Sequence, residues 1–72
     1  MTSTKTIETM ARDIHYGARE AGADGAMLAA YDLTREDCHW LATHGITDRA
    51  DVIAIEAAVR RGPLGWDSLE TD

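Results

Sequence analysis

The side chains able to do chemistry are few. His15, Cys38, His39 and His44 are the only soft or borderline metal ligands in the chain. His39 and His44 are five apart, which on a helix turns them about 140° from one another. Cys38 and His44, six apart, also fall on different helical faces, and no zinc spacing is present. The reading is therefore no metal and no cofactor, with Cys38 a small core residue and the histidines at the boundary of the core. Nucleophilic catalysis fares no better. Cys38 falls in the first turns of an expected helix, where the dipole favours a thiolate, but Glu36 and Asp37 beside it oppose one. His39 lies about 100° around the helix from Cys38 and is badly placed as its base. Nothing pairs a nucleophile with a base, and no glycine-rich phosphate loop occurs, so an enzyme is the least favoured class.

The carboxylates are the remaining chemistry. Thirteen acids against seven bases give a formal net charge of −6. The charge is unevenly placed. Residues 1–23 are neutral, 24–51 carry −4, 52–61 carry +1, and 62–72 carry −3. Asp24, Asp32, Glu36, Asp37, Asp48 and Asp51 flank expected helix starts. Acids there complement the helix dipole and aid solubility. If the helix starts gather on one side, the same acids form an acidic face able to dock on an arginine- or lysine-rich surface. The tail adds Trp66, Asp67, Leu69 and Glu70. These either fold back over the core or anchor a partner, since tryptophan is enriched among interface hot spots. Folding back is the favoured alternative, because so small a core needs Trp66.

Elements that position these residues follow from spacing and punctuation. The chain has 72 residues, one domain at most. A domain of this size buries only about 60% of its unfolded surface. Leu, Ile and Val number twelve, with no Phe, and twelve alanines supply much of the remaining apolar content. Apolar residues Ile7, Met10, Ala11, Ile14, Ala18 and Ala21 recur at helical steps, with Ser3 or Thr4 as cap and Gly22 as stop. Gly17 is a weak point in that helix, unless it admits another backbone. Asp24 caps a short helix over 25–31, where alanine content favours helix over a buried strand. Thr34 and Asp37 make a capping box for a helix over 35–44, with Leu33 and Cys38 as its hydrophobic staple. Gly45 and Ile46 suit a Schellman stop against Leu41, and Trp40 reads as core beside Leu41. A hairpin turning at 32–37 leaves these cap signals unexplained. The last helix spans 48–61, with Val52, Ile55 and Val59 inward, Ile53 and Ala57 widening the stripe, and Gly62-Pro63 ending it. The expected fold is an all-α bundle of three to four short helices (about 4–21, 25–31, 35–44 and 48–61) with an acidic C-terminal tail over 62–72.

Function follows only as a class. The longest apolar run, Ala26–Tyr31, is far short of a membrane span, and no signal peptide is seen, so the chain reads as cytoplasmic with no membrane partner. A single lysine and the absence of Asn and Gln speak against direct nucleic-acid binding. The leading expectation is a small acidic, non-enzymatic protein-binding module: an inhibitor, adaptor or regulator of a larger protein with a basic surface. By size and charge alone it compares with phage-encoded antagonists of nucleic-acid machinery, anti-CRISPR proteins among them, though no motif points there. The alternative is a helix-turn-helix-like transcriptional regulator using residues 35–61 with Arg49, Arg60 and Arg61, opposed by Asp48 and Asp51 at the start of its second helix. Small cores seldom supply more than about 3–5 kcal/mol, so a homodimer or an obligate complex is expected.

Overall fold

The computed structural model describes residues 2–70, and for Glu70 the backbone alone. Four α-helices follow in order: α1 Thr4–Glu20, α2 Gly25–Ala29, α3 Arg35–Thr43 and α4 Arg49–Arg61. A 3-10 helix, Trp66–Glu70, follows them. The fold is all-α, and no strand occurs among the described residues.

Each helix starts where a side chain can accept from an orphan amide. Ser3 accepts from the Thr6 amide, Asp24 from Met27, Thr34 from Asp37 and Asp48 from Ala50. At α3 the box is complete, since the Asp37 carboxylate also accepts from the Thr34 amide. The stops are equally local. The Ile46 amide donates to Leu41 O and the Gly45 amide to Ala42 O, with Gly45 at φ 84°. That is the Schellman pattern, and it requires a left-handed residue at position 45.

The α1 and α4 helices form the main pairing and run in the same sense. The Thr2 hydroxyl donates to the Asp51 carboxylate near their starts. Farther along, His15 Nδ1 lies 3.3 Å from Val59 O. Between and around them sit Ala11, Ile14, Leu41, Ile46, Ile55, Ala58, Val59 and Trp66, the buried cluster. Both α2 and the 3-10 helix pack on this pair, α2 on α4 and the 3-10 helix on α1.

Several expectations change. Cys38 is exposed rather than core. The inward stripe of α3 runs through Asp37, Trp40 and Leu41, and Cys38 lies about 100° off Asp37. Leu33 packs against the core, so the helix entry is seated by Leu33 without a buried Cys38. Trp40 is only half-buried, its ring 4.4 Å from that of His44. Ile53 and Ala57 face outward, because Ile53 lies about 160° around α4 from the fully buried Ile55. Ala21 is the exposed C-cap of α1. His15, expected at the boundary, is buried.

The described part of the tail, residues 62–69, returns to the core. Pro63 cannot continue α4, and the Trp66 amide donates to Pro63 O with Gly65 at φ 85°. A positive φ at that third turn position is the type II pattern. It reverses the chain and carries Trp66, 3% exposed, back against α1.

Candidate functional site

A cleft of about 510 Å³ opens between the C-terminal half of α1 and the start of α3. Its floor is aliphatic, from Ile14, Ala18 and Ala21. Tyr31 and Trp40 give it aromatic walls. Asp13 from α1 and Glu36 and Asp37 from α3 supply three carboxylates. Gly17 also lines it. A Cβ built at that glycine meets no atom within 4 Å, and its φ is not positive. No other backbone approaches Gly17, contrary to one expectation of the sequence, so neither packing nor backbone geometry calls for glycine there. A mid-helix glycine costs about 1 kcal/mol relative to alanine; what it leaves here is open space in the cleft.

The carboxylates are not equivalent. Asp37 accepts from the Tyr31 hydroxyl and from the Thr34 amide, so it is fixed in place. Burial, followed by the hydrogen bond to Asp37 and its charge, pushes the Tyr31 phenol well above the ordinary tyrosine range. The folded state thus holds this proton above about pH 10, where an unfolded tyrosine loses it. The resulting stability is present in full below that pH and is lost as pH rises from there toward the folded value. The thermal midpoint should therefore fall above about pH 10, and Tyr31→Phe should make the fall shallower. Equal slopes for the two proteins would remove this assignment.

The other predicted acids have local duties. Asp24 and Asp48 cap α2 and α4, and Asp51 holds Thr2. Asp32 pairs with Arg60 at 2.6 Å. Arg60 Nε also donates to Tyr31 O, and Glu56 accepts from the Leu33 amide. The Glu56–Arg60 pair on α4 thus clamps the 31–33 connector that leads into α3. This places Asp32 near the end of α4, about 18 Å along the helix from Asp48 and about 14 Å from Asp51. Glu36 and Asp37 line the cleft together with Asp13. Asp13 was missed because its partners in the cleft lie more than twenty residues away, beyond any local spacing. In the tail, Asp67 is exposed and Leu69 is half-buried against the core. The Glu70 side chain, Thr71 and Asp72 lie outside the described residues.

Comparison with known proteins adds no family. No family model, curated protein or solved structure matches the chain.

His15 marks a second notable environment. The Val59 carbonyl would ordinarily take the amide of residue 63, but Pro63 has none. His15 Nδ1–H therefore donates to it, since a carbonyl oxygen can only accept. Nε2 is left buried without a hydrogen-bond partner, and the ring meets Tyr16 and Trp66 edge-on at 5.3 and 5.1 Å. This histidine packs and caps a carbonyl. Among the described residues, no three His, Cys, Asp or Glu side chains gather as metal ligands. None of the described helices is long and apolar enough to cross a membrane.

Proposed function

We propose that this chain is a non-enzymatic binding module that presents carboxylates to a basic surface of a larger protein. The observation that carries the reading is how its own bases are used. Arg60 is held by Asp32 and Glu56, and Arg61 by Glu8. Arg12 lies 3.6 Å from Asp13, and Arg19 sits over the Tyr16 ring. With these arginines engaged on the molecule itself, the surplus of six acids dominates what a partner meets. Inhibition of a protein whose basic surface ordinarily holds nucleic acid is one form such binding takes. Exposed Ile53, Met27 and Leu64 support a further apolar contact, with that partner or with a second copy; a fully folded monomer in sedimentation at low micromolar concentration would remove the second copy.

The test is electrostatic. A partner captured from the source cells and then purified is titrated calorimetrically at rising salt. Affinity should fall with salt, and Glu36→Lys with Asp67→Lys should weaken it about tenfold or more. Asp48 and Asp51 are poor choices for reversal, because one caps α4 and the other holds Thr2. Binding indifferent to both salt and reversal would sink the proposal.

A further inference from the structure

We infer that a second cavity, between the C-terminal half of α1, the start of α2 and the end of α4, binds a phosphate group that still carries a P–OH. It is separate from the acidic surface proposed above. The cavity measures about 410 Å³, within the range of small-molecule sites. His15 lines it, and among the described residues His15 Nε2 is the buried side-chain polar atom that has no hydrogen-bond partner. A buried polar group in that state calls for a partner. Because Nδ1–H is committed to Val59 O, Nε2 of the neutral ring can only accept. The missing partner is therefore a donor. No residue lining the cavity supplies one, although three of them are arginines.

The arginines set what that donor is attached to. Arg19 lies one helical turn beyond His15 on the same face of α1. Its guanidinium carbon is 6.0 Å from the centre of the Tyr16 ring, and it has no carboxylate partner among the described residues. Arg61 gives one nitrogen to Glu8 and keeps its other N–H donors. Arg60 is taken up by Tyr31, Asp32 and Glu56 and adds only charge. The one acid in the lining, Asp24, accepts from the Met27 amide. The cavity is thus cationic on a molecule of net charge −6, the reverse of the α1–α3 cleft. Its ligand joins negative charge for Arg19 and Arg61 to a hydroxyl proton for Nε2. Carboxylic acids lose that proton well below neutral pH, and sulfate has none to give. Inorganic phosphate keeps a P–OH at neutral pH, and a phosphate monoester keeps one near and below its second pKa of about 6. Leu28, Ala29 and Pro63 add apolar wall that the carbon group of an ester can cover.

The probes are inorganic phosphate, phenyl phosphate and sulfate. They are titrated into the protein at about pH 6 and fixed ionic strength, and followed by imidazole and guanidinium nitrogen shifts. Sulfate carries the greatest charge at that pH, so charge alone ranks it first and the orphan nitrogen ranks it last. Saturable shifts are expected at His15 Nε2 and Arg19 Nε with both phosphates, and sulfate should bind about tenfold more weakly or less. Tighter binding of phenyl phosphate assigns an ester as the ligand, and equal binding assigns the free ion. Arg19→Gln, at an exposed position, should weaken both phosphates about tenfold. His15→Phe keeps a ring against Trp66 and should bring phosphate down to the level of sulfate. If that variant does not fold, the sulfate comparison and Arg19→Gln decide alone. No saturable response to either phosphate, sulfate binding as tightly as phosphate, or binding untouched by Arg19→Gln overturns the site. The acidic surface is tested separately, by the salt dependence of the captured partner.

Discussion

Trp66→Ala is expected to destabilise the protein by about 3–5 kcal/mol, the usual cost of removing a buried tryptophan. A chain of this size has about 4–11 kcal/mol in all, so this one substitution removes much of its stability. Trp66 is 3% exposed, within a core otherwise built of aliphatic side chains and alanine. Its ring meets His15 and Tyr16, and its indole Nε1 donates to Glu8 at 3.1 Å. Glu8 is also the acceptor for Arg61. Tail, first helix and the end of α4 are therefore joined at one carboxylate. Urea unfolding followed by circular dichroism measures the loss. If Trp66→Ala does not fold, Trp66→Phe keeps most of the ring and loses the indole donor, at an expected cost of about 1–3 kcal/mol. A loss under about 1 kcal/mol in the alanine variant would mean that the tail contributes little and that Trp66 is free to contact a partner.

That return of the tail shows where sequence reading stops. Caps and stops were legible because their causes are local. Thr34 and Asp37 are three residues apart, and Gly45-Ile46 acts on Leu41 within one helical turn. The Pro63–Trp66 turn was also local, and Gly65 after Pro63 was its signal. It is the turn that decides between a folded-back tail and an exposed one. The non-local contacts left no such trace. Glu56 and Arg60 have the spacing of an ordinary pair four residues apart on a helix, yet both reach across to hold the 31–33 connector. Ile53 reads as widening the Val52, Ile55 and Val59 stripe, yet it lies about 160° around α4 from Ile55 and is exposed. Acids at helix starts were found by composition; their separation along α4 follows from the packing. Pro63 both ends α4 and removes the donor that Val59 would have had, which His15 replaces from 44 residues away.

Leu41→Ala is the second substitution with a large expected effect, about 2–5 kcal/mol, and it reaches the candidate site directly. The α3 helix has nine residues, and Leu41 is its one buried side chain. Helices shorter than about 12–15 residues are marginal by themselves in water. The capping box sets where α3 begins, but a cap is worth only about 1 kcal/mol. Seating of α3 thus depends on Leu41, with Ile46 following it into the core. Since α3 carries Glu36, Asp37 and Trp40, its detachment removes one carboxylate-bearing wall of the cleft while Asp13 and the floor remain on α1. Amide exchange should show this asymmetry. In Leu41→Ala, protection in α3 should drop toward that of an open segment while α1 and α4 retain theirs. Wild-type protection of α3 in this variant would show that the helix is held by its caps and by Trp40, and the link between core packing and the acidic cleft would be lost.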